Sequence, residues 1–129
     1  MELKPGDTLA GIIDRVAAEY PKNEAIVSGS RRITFDTLMD RANSIANALL
    51  KMGVKKGDKV AIWMGNVPEW VYAHFACIKI GAPLIPLNTR YKVHELEYIL
   101  KQSDSTTLFM MDHFLKIDFV PMIYEVCRS

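Results

Sequence analysis

At 129 residues, half of them apolar, the chain is long enough to bury one sizeable core and short enough to be one domain. Sixteen basic and fifteen acidic residues nearly cancel, and no basic cluster exceeds the pairs Arg31-Arg32 and Lys55-Lys56, which argues against nucleic acid and anionic membrane as partners. Cys77 and Cys127 are too few and too far apart for a disulfide framework or a zinc pattern and read as reduced thiols.

The N-terminus, Met1 to Asp7, has no apolar core for a signal peptide, so the expected location is the cytoplasm. Leu9, Ile12, Ile13, Val16, Ala17 and Tyr20 then recur at helical spacing, with Asp7 or Thr8 as the cap and Pro21 as the stop. Glu24 to Ser28 and Arg31 to Thr34 flank Gly29-Ser30 and predict a small β-hairpin. Thr34 is placed to cap a long amphipathic helix from about Phe35 to Met52, with a stripe of Leu38, Ala42, Ile45, Leu49 and Met52 ending at Gly53.

From Lys59 the pattern changes to short apolar runs alternating with helices, as in a parallel sheet covered on both faces. The runs are Val60 to Met64, Leu84 to Leu87 and Thr106 to Met111. Between the first two, Asn66 caps, Pro68 occupies the first turn and a helix apolar nearly all round runs to Ile80. The stretch from Trp70 to Leu87 approaches the length of a membrane span, but His74, Lys79, Gly81, Pro83 and Pro86 interrupt it. Between the second and third runs, Val93, Leu96, Ile99 and Leu100 mark a surface helix. The fold class expected is α/β: a Rossmann-like β-α-β-α-β half-domain over residues 59–111, preceded over 1–58 by a helix, a hairpin and a long helix. Residues 112–129 form a tail in which one more helix starts after a proline and stops without a cap, which reads as a piece of a longer protein.

Few residues suggest chemistry. His74 and Cys77, three apart on one helix, could pair as base and thiol, but no orienting carboxylate or oxyanion hole accompanies them, and packing within a buried helix explains both. His94-Glu95 and Asp112-His113 are adjacent pairs that point to different faces of a helix and cannot chelate together, although Asp112-His113 follows a strand's carboxyl end, where open α/β sheets bind ligands. Gly65-Asn66 lies between strand and helix, but the glycine patterns of nucleotide loops are missing and Pro68 removes one donor, so a capped helix start is the expected role. Asn88 and Arg90, beyond the second strand, are the best polar pair at the sheet edge and the candidates for cofactor contact. No metal site is expected.

Two segments, Ile33-Thr34-Phe35-Asp36-Thr37-Leu38 and Ile78-Lys79-Ile80-Gly81-Ala82-Pro83-Leu84-Ile85-Pro86-Leu87-Asn88, resemble the first two core motifs of the adenylate-forming, AMP-binding superfamily that includes the acyl-CoA synthetases. Asp40-Arg41-Ala42-Asn43, Leu50-Lys51-Met52-Gly53-Val54, Lys56-Gly57-Asp58-Lys59-Val60-Ala61 and Asn66-Val67-Pro68-Glu69-Trp70 follow in the family's order, and the similarity runs from about Thr8 to Met111. Pro86-Leu87-Asn88-Thr89-Arg90 followed by Glu95-Leu96-Glu97-Tyr98-Ile99-Leu100 looks most like the fatty-acyl-CoA and aryl-CoA ligase branches. Thr37 stands where the family has Glu, and Lys92-Val93 where these relatives have Thr-Pro, which predicts weak starts for both helices.

The resemblance implies a parent enzyme of fatty acid metabolism that activates a carboxylic acid with ATP and magnesium, releases pyrophosphate and passes the acyl group to coenzyme A. It also implies a Ser/Thr/Gly-rich phosphate loop ending in Pro-Lys-Gly and a lysine in a small C-terminal domain. None of these lies within residues 1–129, so no catalytic residue carries over and the chain alone is expected to be inactive. Its expected partners are the rest of the ligase and a second copy through exposed apolar surface, and the whole enzyme could touch membranes peripherally. A stand-alone binding module of the same fold is the alternative, and a His-Cys hydrolase a third reading.

Overall fold

The computed structural model describes residues 2–129. The first helix, α1 (Leu9–Glu19), starts at Thr8, whose hydroxyl accepts the Gly11 N–H at 3.1 Å. Asp7 is not the cap: its carboxylate receives Arg15 at 2.6 and 2.8 Å and the Lys4 N–H at 2.7 Å. Strands β1 (Glu24–Ser28) and β2 (Arg31–Thr34) pair antiparallel with Ser28 opposite Arg31, and Gly29 takes the first turn position at φ +60°.

Helix α2 (Phe35–Lys51) begins where expected but not by the expected cap. The Thr34 hydroxyl turns instead to the Asp36 carboxylate and to Thr37, and the first orphan N–H groups, of Phe35 and Asp36, bond to the Asn23 and Pro21 carbonyls at 3.1 and 3.0 Å. The loop before the hairpin thus does the capping. The stripe also differs, because Met52 is 71% exposed and the packed face consists of Leu38, Met39, Ala42, Ala46 and Leu49. Gly53, at φ +91°, turns the chain, and Val54 N–H bonds back to the Leu49 carbonyl at 3.0 Å. Val54 therefore fills the place expected of Met52.

Strands β3 (Lys59–Trp63), β4 (Leu84–Pro86) and β5 (Ser105–Met110) form a parallel sheet in the order β4-β3-β5, joined through α3 (Pro68–Ile80) and α4 (Val93–Ser103). Asn66 does not cap α3. Pro68 at the first helical position forces its predecessor out of the helical region, so Val67 (φ −128°, ψ 155°) becomes the cap residue by geometry, without a side-chain bond. At the other end Gly81 adopts φ +71° and bonds back to the Cys77 and Ile78 carbonyls. The weak start expected of α4 is mended from within: lysine has no side-chain acceptor, but Lys92 N–H donates to the Glu95 carboxylate at 2.9 Å, one half of a capping box.

The tail contains more than the expected helix. Strands β6 (His113–Phe114) and β7 (Ile117–Asp118) form a tight hairpin, and Asp118 caps α5 (Phe119–Arg128) by accepting the Val120 N–H at 3.2 Å. Pro121 lies inside the first turn rather than ahead of the helix, where its missing N–H costs nothing.

Alternation along β3 divides the core between the two sheet faces. Val60 joins Leu49, Val54, Ala76 and Cys77 under α2 and α3, whereas Ala61 and Trp63 join Leu87, Leu96 and Phe119 under α4 and α5. A third cluster of Ala17, Ile33, Leu38, Met39 and Tyr72 holds α1 and the first hairpin to α2 and α3. Among the described residues no helix is long and apolar enough to cross a membrane.

Candidate functional site

Open parallel sheets present ligand sites at the carboxyl ends of their strands. Here that rim consists of the segment after β3 (Met64 to Val67), the segment after β4 (Leu87 to Arg90) and the segment after β5 (Met111 to His113). Two aromatic contacts shape it. Trp63, at the end of β3, is fully buried and stacks on Phe119 at 3.9 Å between ring centroids and 9° between planes. Phe114 of the second hairpin lies so close over Gly65 that a β-carbon there would fall 2.1 Å from the ring. Gly65 serves close approach, not unusual backbone torsion.

Asn88 is brought into this rim, but as a brace. Its carbonyl accepts the Trp63 Nε1–H at 3.1 Å and the Tyr91 N–H at 3.0 Å, and its side-chain oxygen accepts the Arg90 N–H at 2.9 Å. Arg90 is exposed, and its guanidinium has no ion-pair partner among the described residues. Of the two, only Arg90 presents an uncommitted charged group to solvent.

After β3, two backbone donors are spent internally: Gly65 N–H points to the Met111 sulfur at 3.4 Å and Val67 N–H bonds to the Gly65 carbonyl at 2.9 Å. Asp112 and His113 contact each other at 2.8 Å, both well exposed, and His94 is exposed on α4. Among the described residues no three His, Cys, Asp or Glu side chains gather closely enough to hold a metal ion.

His74 and Cys77 lie away from the rim, in the packed body of α3. The His74 ring stacks on Trp70 at 5.2 Å and meets Phe75 edge-on at 5.6 Å, and its buried Nδ1 has no hydrogen-bond partner. Burial lowers the imidazole's pKa and pushes the fully buried Cys77 thiol up to about 11. A weakened base beside a reluctant thiol cannot generate a thiolate near neutral pH, so the hydrolase reading has no chemistry behind it.

The comparisons with known proteins decide the family: the description of the AMP-binding enzymes matches residues 13–126. The chain belongs to the AMP-binding enzyme family. It is 41% identical over 109 residues to a Bacillus subtilis (strain 168) protein described as an acyl-CoA synthetase, YngI, covering 83% of this chain and 20% of that one. It is 33% identical over 121 residues to the crotonobetaine/carnitine–CoA ligase of Salmonella enteritidis PT4 (strain P125109), covering 93% and 22%. Among solved structures it superposes on the anthranilate CoA ligase AuaEII, crystallised with anthranoyl-AMP, with a TM-score of 0.87 and 27% identity over 99% of this chain and 24% of that one. The chain thus spans about a fifth of the length of the curated relatives it matches. Within the AMP-binding family its fold corresponds to the N-terminal subdomain.

Trp63, Phe114 and Phe119, which close the rim, are not among the residues that sequence reasoning singles out. The one available signal is an aromatic residue at the carboxyl end of a central strand, since a large ring there needs a cover.

Proposed function

We propose that this chain is the N-terminal part of a cytoplasmic acid-CoA ligase that activates a fatty acid with ATP and transfers it to coenzyme A, and that the 129 residues alone do not catalyse. The observation that carries the reading is the match over 13–126 together with relatives whose names specify CoA ligases or acyl-CoA synthetases. A fatty acid is one of the two acid classes suggested by Pro86 to Arg90 and Glu95 to Leu100, which look most like the fatty-acyl-CoA and aryl-CoA ligase branches.

ATP, magnesium and coenzyme A do not fit the residues present here. A nucleotide triphosphate with its cation needs converging donors and carboxylates, whereas the Gly65 and Val67 N–H groups are internally bonded, Phe114 lies over Gly65, and no acidic cluster gathers among the described residues. Those groups belong to the remainder of the ligase and its C-terminal domain. Arg90 is this chain's candidate for contact with an anionic cofactor, and Asn88 shapes its turn.

The test is ATP–pyrophosphate exchange with palmitate as the acid. The purified 129-residue chain should show none, and exchange by it would overturn the claim of inactivity. The full-length protein should show it, and a full-length protein that activates no carboxylic acid would overturn the ligase reading. We also propose that the isolated chain self-associates through apolar surface that the fold leaves uncovered, Leu108, Phe109 and Met110 being only half-buried.

A further inference from the structure

We infer that Trp63 is a positioning residue: its indole N–H, acting through Asn88, holds the turn that presents Arg90 at the carboxyl rim of the sheet. The inference rests on the proposal that Arg90 contacts an anionic cofactor and names what fixes that contact. Trp63 ends β3, the central strand, and is fully buried. An indole has one donor and no acceptor, so when buried it must find an oxygen for its Nε1–H. The oxygen is the Asn88 carbonyl at 3.1 Å, 25 residues along the chain and just past the end of β4.

Three bonds meet at Asn88. Besides the indole, the Tyr91 N–H donates to the same carbonyl at 3.0 Å, which makes Asn88 to Tyr91 a β-turn with Thr89 and Arg90 at its corners, and the Asn88 side-chain oxygen accepts the Arg90 N–H at 2.9 Å. The approach to the turn is tied to β3 as well, through the Leu87 N–H and the Ile62 carbonyl at 2.8 Å. The backbone of Arg90 is thus set by a residue whose own carbonyl is pinned to the middle of the sheet. The indole's direction is fixed in turn by Phe119, stacked on it at 3.9 Å, and by Leu87 in the same cluster. A phenylalanine at position 63 would keep a ring for Phe119 to cover and lose only the donor, so positioning and packing can be separated.

The Arg90 guanidinium is exposed and has no ion-pair partner among the described residues. Its planar fork suits phosphate oxygens, and a backbone held in advance lowers the ordering cost of closing on them. ATP and coenzyme A both carry phosphates. The shared chemistry is therefore a phosphate, and separate titrations tell the two sources apart.

The experiment titrates ATP and coenzyme A separately into the full-length protein by calorimetry, and circular dichroism checks that each variant is folded. Trp63→Phe should weaken binding of one of the two by about threefold to tenfold, the span of one net hydrogen bond, and leave the other unchanged. Arg90→Ala should weaken the same cofactor at least as much, and adding Trp63→Phe to it should weaken it no further, since nothing is left to position. A merely structural role would add its loss in both backgrounds. Asn88→Ala cuts the second link at an exposed residue and should repeat the loss, which keeps the test open if Trp63→Phe does not fold. Asn88→Ser, whose hydroxyl can accept the Arg90 N–H, should recover part of it. Unchanged binding of both cofactors in folded Trp63→Phe or Asn88→Ala, or equal losses with and without Arg90, overturns the positioning role. Unchanged binding in Arg90→Ala, or no binding of either cofactor by the full-length protein, overturns the Arg90 contact as well. Coupled losses in a full-length protein that activates no carboxylic acid overturn the ligase reading and leave the positioning role standing.

Discussion

Gly65 is fixed by a neighbour far along the chain. Its φ is ordinary, so alanine would be tolerated by the backbone, yet the added methyl would collide with the Phe114 ring. Gly65→Ala should cost about 1–3 kcal/mol in urea unfolding, the usual range for overpacking. In Phe114→Ala the same change should cost far less, and the double-mutant cycle would show coupling of about 1 kcal/mol or more. Additive effects would mean that the hairpin ring does not lie over Gly65. Asn88 makes the complementary point: its place at the sheet edge suits cofactor contact, and the structure spends its carbonyl and its side-chain oxygen on internal bonds.

At the scale of elements, α4 shows how a poor start can be rescued. Only the Glu95 carboxylate reaching back to Lys92 N–H secures the first turn from a side chain, and a hydroxyl at position 92 would add the missing half. Lys92→Thr should stabilise the protein by about 0.5–1 kcal/mol, and Glu95→Ala should destabilise it by a similar amount. Both are read from the midpoint of chemical denaturation, and a Lys92→Thr variant no more stable than the parent would show that the cap does not form. The elements themselves were legible because their signals are local: period 3.6 for α1 and α2, continuous apolar runs for β3 and β5, and Gly29 in the hairpin turn. The misreadings came where a distant group intervened. Backbone carbonyls of Pro21 and Asn23 replaced Thr34 as the cap of α2, whereas the one-residue shift at the start of α3 has a local cause, Pro68 excluding Val67 from the helix. The closure of the rim by Phe114 and Phe119 was not legible at all, since nothing local tells a ring near the C-terminus which strand it will cover.

For the molecule as a whole, α3 is the central helix, touching the α1–α2 cluster through Tyr72 and the sheet through Ala76 and Cys77. His74 lies in its middle, and that position gives stability a pH dependence. Burial lowers the folded imidazole's pKa below its ordinary value of about 6.5, so the unfolded chain binds the proton more readily. The contribution is therefore complete above pH ~6.5 and is lost as pH falls from there through the lower folded pKa. The thermal midpoint of the wild-type chain should fall between pH 7 and 5 more steeply than that of His74→Gln, which has no proton to gain. Parallel curves for the two proteins would show that the ring is solvated enough to titrate freely.

Phe119 is fully buried and supplies the cover for Trp63, yet it belongs to the last helix of the chain, whereas α1, α2, the first hairpin and α3 meet one another from earlier sequence alone. On a ribosome, where the chain emerges from its N-terminus, the face of the sheet toward α2 and α3 can be dressed while the opposite face still shows part of the indole to solvent. A nascent chain arrested before Phe119 clears the exit tunnel would keep one face of the indole uncovered, with only Leu87 and α4 packed against the ring.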